Sequence, residues 1–367
     1  MTTELLLLLA VGSALCDRLA FVPRLLALGE RDLDLGAAVV EVERERHDRH
    51  ALRRDLALDA GVNLVDAAEM YPVPPKPETQ GLTERYLGTW LKKSGKRDKI
   101  VLATKATGPA RMAHNPQHIR NGYSRLDRRG LTEALHGNLE RLQTDYIDLY
   151  QLHWPDRTVN IFGAREYTHH GEEDTTPIEE TLSVLAEFVK AGKIRYIGVS
   201  NETPWGVAQF LRASEQLNLP RIVSIQNPYN LLNRSFELGL SEFALREQIG
   251  LLAYSPLAFG TLSGKYVNDA RPADGRLTLF SRFVRYTNAH ASTAVAAYVA
   301  LAQEHGLDPA QMALAYVNSR PFLTSNIIGA TTLAQLKSNL ESIDITLDEN
   351  VLAGIEAIHA RHPNPAP

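Results

Sequence analysis

From residue 55 onward the chain alternates short apolar runs, rich in β-branched residues, with longer stretches of helical character. Residues 63–67 (NLVDA) are a short buried strand candidate, and after a proline-rich loop at 72–77 the stretch 82–93 predicts a helix. The pattern then repeats. Strand candidates at 99–105, 146–153 and 194–201 are followed by helix candidates at about 132–142, 177–191 and 204–216. Residues 222–226 and 250–254 continue the series, and the last strand, 324–329, precedes a helix at 333–343. Near-continuous apolar strands separated by helices imply parallel strands covered on both faces. Seven such units are clear, and eight close a barrel. Only residues 37–42 (AAVVEV) are available for the missing first strand. No G-x-G-x-x-G follows any strand, which argues against a doubly wound dinucleotide fold. The expected class is α/β, a (β/α)8 TIM barrel with an atypical or degraded first strand.

Composition narrows the class without naming an activity. The 367 residues are 44% hydrophobic and 22% charged, which excludes a mainly disordered or low-complexity chain. Length alone leaves one large domain or two. With 39 basic and 43 acidic residues the net charge is −4, so no nucleic-acid partner is expected. The single cysteine, Cys16, excludes an internal disulfide, and no Cys/His cluster has zinc spacing, so no metal is expected.

The front of the chain reads differently. Leu5 to Leu9 form a leucine run of signal-peptide length, too short for a membrane span. It lacks a positive flank and a small-x-small cleavage site, so an apolar helix or an extension is expected, in a cytoplasmic protein with no membrane partner. Residues 44–54 (RERHDRHALRR) read as a solvated helix face, and His47 and His50 have no third ligand in view.

In a parallel barrel the active site forms at the carboxyl ends of the strands. There the sequence places Asp66 with Tyr71 five residues on, then Lys105, then His153 followed by Trp154. Ser200-Asn201, Gln226-Asn227 and Tyr254-Ser255 end the next three strands. The first four make a chemical set. A phenol with a pKa near 10 is a poor acid at neutral pH. A nearby ammonium stabilises the phenolate, and a carboxylate keeps that ammonium charged and in place. An imidazole then orients a carbonyl oxygen or relays a proton. This set suits protonation of a carbonyl oxygen while a hydride reaches its carbon, and the hydride requires a nicotinamide cofactor. Singly, a strand-end Lys or Asp is more often a loop ion pair, and a lone His a structural residue. The four on successive strands favour the chemical assignment. A metal-dependent hydrolase on this barrel would need a strand-end His-x-His or carboxylate cluster, which is lacking.

Residues 61–72 (GVNLVDAAEMYP) resemble the aldo-keto reductase signature around its catalytic Asp and Tyr. LATK ending at Lys105, YIDLYQLHWPD around His153, GKIRYIGVSN through Asn201, IQNPYNLLNR after Ile225 and LLAYSPLAFGTLSGKY through Tyr266 are similar to the same family. So is IIGATTLAQLKSNL at 327–340, and the RFVRY segment at 282–286 resembles the bacterial Tas-like branch. The resemblance implies NADPH-dependent reduction of aldehydes or ketones, with Tyr71 as general acid, Lys105 and Asp66 tuning it, and His153 polarising the carbonyl. It implies Ser200, Asn201 and Gln226 on the nicotinamide carboxamide and Tyr254 stacked on the ring. Ser255, Pro256, Leu257, Gly260 and Lys265 would line the pyrophosphate. Gly329, Thr331, Gln335 and Asn339 would hold the adenosine end of NADPH/NADP+, where a helix start suits a phosphate. Arg276 and Arg282 are candidates for the 2′-phosphate, with loop surface charge as the alternative for each. Trp154 is expected to wall a pocket for a small-molecule carbonyl substrate, and the insert 156–176 is expected either to cover it or to be a surface loop.

The resemblance covers residues 55–362, leaving 363–367 as a tail. Residues 1–54 depart from the family, lacking its hairpin and the Gly-Thr-Met-like turn after the first strand. They are read as the product of a reading-frame shift, with a divergent extension as the alternative. The alternative function is a cofactor-binding barrel without turnover, resembling potassium-channel beta subunits; the intact Asp66, Tyr71, Lys105 and His153 favour the reductase.

Overall fold

The computed structural model describes residues 38–40, 47–109, 117–171 and 173–367. The leucine run, Cys16 and residues 41–46 lie outside the described residues.

Among the described residues eight strands run parallel: β1 (Ala38–Val40), β2 (Leu64–Asp66), β3 (Val101–Ala106), β4 (Ile147–Leu152), β5 (Ile194–Ser200), β6 (Ile222–Pro228), β7 (Gly250–Tyr254) and β8 (Leu323–Ile328). They pair in the order β1-β8-β7-β6-β5-β4-β3-β2. The described residues contain no hydrogen-bonded ladder between β1 and β2, so the barrel is nearly closed. Strand β1 falls inside the stretch available for it, shortened to three residues that pair with Asn326–Ile328.

Helices α1 (His47–Asp59), α2 (Leu82–Ser94), α3 (Arg128–Leu142), α4 (Ile178–Lys190), α5 (Pro204–Leu217) and α6 (Leu240–Arg246) cover the outside of the barrel. They are joined by α7 (Ala289–Glu304), α8 (Pro309–Asn318), α9 (Leu333–Glu341) and α10 (Glu349–Arg361). Several starts are set by side chains that take an otherwise orphaned N–H. Asp127 accepts from Gly130 N, Thr203 from Gly206 N with Pro204 in the first turn, and Thr332 from Gln335 N.

The two-residue repeat of each strand sorts its side chains. Leu64, Val101, Ala103, Leu149, Leu252 and Ile327 form one buried cluster made only of strand residues, inside the barrel. Their alternates Val65, Leu102, Tyr150, Ile197 and Leu251 join Leu131, Leu185 and Phe210 from the helices in the outer core. Each fully buried Leu or Ile there contributes about 1.5–3 kcal/mol. Buried Glu84 of α2 ties the layers together, accepting from Thr104 of β3 at 2.6 Å, Asn138 at 2.6 Å and Arg141 at 2.7 Å.

The arginine-rich stretch is corrected by the structure. It is helical from His47, but Arg53 and Arg54 are buried rather than solvated. The Arg54 guanidinium lies over the Trp90 ring at 5.3 Å and donates to Tyr86 O at 3.2 Å, and burial lowers its pKa to about 10. Arg53 donates to Thr331 O at the start of α9. Long aliphatic stems let both side chains lie along the apolar face while their heads find carbonyls and a ring. Ala57 of the same helix packs with Leu314, Ile328 and Leu336, so α1 is built into the barrel wall beside β8.

Candidate active site

The inward alternation that fills the barrel with Leu64, Ala103 and Leu149 places Asp66, Lys105 and Gln151 on the same face one step nearer the carboxyl end, and His153 one step beyond Gln151. Asp66 is the last residue of β2, Lys105 the penultimate residue of β3, and His153 the first residue past β4. Lys105 Nζ bonds Asp66 Oδ2 and donates to Ala67 O at 2.8 Å, with both side chains almost fully buried. Gln151 and Gln226 donate to the other carboxylate oxygen at 2.9 and 3.1 Å. Gly198 of β5 makes room for this layer, because a Cβ there would lie 2.5 Å from Ser224 Oγ and 3.1 Å from Gln151 Cγ. A buried ion pair of this kind is strongly destabilising to break from one side.

Tyr71 enters from the loop after β2. The Lys105 ammonium lies 5.3 Å from its ring centroid, and the His153 ring meets it edge-on at 5.6 Å. The loop is fixed by Glu69, whose N–H donates to Lys105 O at 3.2 Å and whose carboxylate accepts from Thr107 N at 2.9 Å. Glu69 also pairs with Arg120 at 2.9 Å, and Arg120 donates to Thr107 O and Gly130 O at 2.7 Å each. This network places the phenol over the buried lysine.

His153 is buried, and its Nδ1 has no hydrogen-bond partner among the described residues. Burial, and then the Lys105 charge, hold its pKa well below the usual histidine value. The ring is therefore neutral at pH 7 and carries one N–H to offer. Trp154 tilts against it with centroids 4.8 Å apart, and its indole N–H donates to Pro109 O at 3.1 Å. Trp154 thus stands beside His153 and packs in the cluster that Tyr71 covers.

The expected cofactor residues fall into three groups, the first of which bonds to this centre. Asn201 donates to His153 O at 2.8 Å, Ser200 Oγ donates to Gln226 O at 2.8 Å, and Tyr254 OH donates to Asn201 Oδ1 at 2.7 Å. Burial raises the Tyr254 pKa. The second group follows β7, where Ser255, Pro256 and Leu257 lead into Gly260. Gly260 has φ +91, and a Cβ on it would lie 3.1 Å from Lys265 Cε, so only glycine leaves this cradle open. Arg276 and Arg282 both lie over the Phe283 ring, at 5.4 and 5.9 Å. The third group is exposed at the start of α9: Gly329, Thr331 and Gln335. There Thr331 N and Oγ1 donate to Gln335 Oε1 at 2.9 and 2.8 Å, while Asn339 is buried.

The insert 156–176 divides in two. Ile161 packs with Met70, Tyr71, Ile119 and Trp154, and Phe162 meets Trp154 edge-on at 6.1 Å. Residues 163–171 are exposed, including His169 and His170, and Glu172 lies outside the described residues. A separate cleft of about 190 Å³ opens behind Trp154, bordered by Arg157, Glu202 and Trp205, and touches none of the four central residues.

Sequence reasoning missed Arg53, Gln151, Glu69 and Arg285. Gln151 sits two residues before His153 on the inward face, which the strand repeat signals. The other three are assigned by partners far along the chain. Among the described residues no group of three or more His, Cys, Asp or Glu is arranged to hold a metal. Among them too, no helix is long and apolar enough to cross a membrane.

Comparison with known proteins matches residues 35–360 to the model of the aldo/keto reductase family. The chain is 54% identical over 335 residues to "Protein tas" of Escherichia coli, covering 91% of this chain and 96% of that protein. It is 38% identical over 255 residues to "Aldo-keto reductase" of Babesia bovis, covering 66% of this chain and 88% of that protein. A "Probable voltage-gated potassium channel subunit beta" of rice is 30% identical over 315 residues, covering 83% of this chain and 85% of that protein.

Proposed function

This chain belongs to the aldo/keto reductase family of oxidoreductases, and we propose that it reduces aldehydes or ketones to alcohols with NADPH. The observation that supports this most is the buried Lys105–Asp66 pair beneath the Tyr71 ring, with neutral His153 edge-on to the same ring.

Tyr71 gives its phenol proton to the carbonyl oxygen. Lys105 stabilises the phenolate left behind, and Asp66 holds the ammonium in place. His153 donates a hydrogen bond to the same carbonyl oxygen and sets the direction from which the substrate enters. As a neutral group it polarises the carbonyl without competing as an acid. When bound, the reduced nicotinamide supplies the hydride to the carbonyl carbon.

The chain's own residues fit that cofactor. Gln226 donates through its amide nitrogen to Asp66 and Gln151, which leaves its carbonyl oxygen for the nicotinamide carboxamide beside Ser200 and Asn201. Tyr254, bonded to Asn201, would help hold the nicotinamide. The open cradle at Gly260, with Lys265 against it, takes the pyrophosphate together with Ser255, Pro256 and Leu257. Gly329, Thr331, Gln335 and Asn339 take the adenosine end. Arg53 joins Arg276 and Arg282 there as a source of positive charge, since it already reaches Thr331 O.

The test is NADPH consumption with a panel of aldehydes and ketones, alongside fluorescence titration of NADPH. Turnover supports the reductase. Binding without turnover on every carbonyl supports the regulatory barrel instead.

A further inference from the structure

The loop after β7 brings a guanidinium to the catalytic end that the proposed chemistry does not use. Arg285 lies 5.7 Å from the Phe162 ring centroid and 5.9 Å from that of Tyr286. Its polar neighbours are the hydroxyls of Tyr254 and Tyr286. Three cations near this end each have an acid: Lys105 has Asp66, Arg120 has Glu69 and Arg157 has Glu202. Among the described residues no ion pair joins Arg285 to an Asp or Glu. A half-buried guanidinium set among rings and phenols, with no Asp or Glu paired to it, is a prepared site for an anion.

Two lines of contact connect it to the reacting centre. Phe162 meets Trp154 at 6.1 Å, and Trp154 tilts on His153 at 4.8 Å. Tyr254 OH bonds Asn201, which donates to His153 O. Arg285 is thus joined to His153 by way of Phe162 and Trp154 on one side and of Tyr254 and Asn201 on the other.

We infer that Arg285 anchors the substrate, and that the preferred substrates are carbonyl compounds carrying a carboxylate or phosphate at the end remote from the C=O group. This rests on the carbonyl-reductase assignment above. The planar guanidinium pairs with two oxygens of either anion, which fixes the substrate's direction as well as its charge.

The test compares kcat/KM for two matched pairs: 4-oxobutanoate against butanal, and glyceraldehyde 3-phosphate against glyceraldehyde. Wild-type protein favours the anionic member of at least one pair, and the pair concerned identifies carboxylate or phosphate as the natural group. Arg285→Gln lowers that preference about 10- to 100-fold. Arg285→Lys, which keeps the charge without the fork, lowers it less and serves if the glutamine variant does not fold. A preference unchanged in both variants overturns the inference. So does an unchanged preference accompanied by a weaker NADPH Kd, which would assign Arg285 to the cofactor. If no carbonyl turns over in wild-type protein, the reductase assignment fails, and calorimetry with 4-hydroxybutanoate and glycerol 3-phosphate still reads the anchor. Binding of either that is lost in Arg285→Gln supports the anchor; equal binding, or none to wild-type protein, overturns it.

Discussion

The Lys105–Asp66 pair is the structural keystone of the catalytic end, and its worth is measurable. The two side chains are 0% and 4% exposed, so neither charge can recover water if the other is removed. Breaking such a pair from one side costs about 3–5 kcal/mol, because a buried charge is left uncompensated. Lys105→Met also loses the hydrogen bond to Ala67 O, worth about 1 kcal/mol. Gln151 and Gln226 both donate to Oδ1, the carboxylate oxygen that Lys105 does not bond, and an amide dipole does not replace a positive charge. The expected results are a loss of about 3–5 kcal/mol in Lys105→Met and in Asp66→Asn, and a double variant less destabilised than the sum by at least about 2 kcal/mol. Urea unfolding followed by circular dichroism at pH 7 gives these values from the midpoint, provided the slope is shared. Single losses below about 1 kcal/mol with no coupling would mean that the pair behaves as an exposed ion pair, and the tuning of Tyr71 would lose its basis.

Histidine 153 imposes a pH dependence on stability. Its folded pKa is held below its unfolded value near 6.5, so its contribution is full above about pH 6.5. It falls as pH drops toward the folded value, by up to about 1.4 kcal/mol per pH unit. His153→Gln removes that slope in urea unfolding between about pH 7.5 and 5.5, and identical slopes in both proteins would refute it. Glu69→Gln leaves Arg120 buried without its charge partner and costs about 3 kcal/mol, part of which Glu69→Gln/Arg120→Met recovers; no recovery would show that the ion pair is not what holds the Tyr71 loop. Arg53→Met weakens NADPH binding about tenfold and NADH binding less, read by fluorescence titration, because a guanidinium at Thr331 meets the extra phosphate. Equal effects on both cofactors would remove Arg53 from that role.

Much of the catalytic end was legible because a two-residue repeat and a strand end are local properties. Asp66, Lys105 and His153 follow directly from where β2, β3 and β4 stop, and the family resemblance named their neighbours. Helix α7 (AHASTAVAAYVALAQE) was not delimited, since alanines around its whole circumference blur the apolar stripe that a helix shows. Arg53 and Arg54 look like surface charges within a run of five arginines. Their partners, Thr331 and Trp90, are supplied by folding and carry no signal near residue 50. Arg285 is similar. Nothing in RFVRY separates it from Arg282, yet Arg282 is exposed and Arg285 meets Phe162 from a loop more than a hundred residues earlier. Gly198 shows the same limit, because the need for a missing Cβ appears only when Gln151 lies beside it.

The central claim is that Tyr71 is the acid that protonates the carbonyl. Steady-state NADPH oxidation on the best carbonyl of the panel, wild type against Tyr71→Phe, tests it with the loss of a single oxygen. Wild-type protein is expected to turn over, and Tyr71→Phe to fall by about 10²–10⁴-fold in kcat/KM, the usual contribution of a general acid. Equal rates in the two proteins would contradict the assignment.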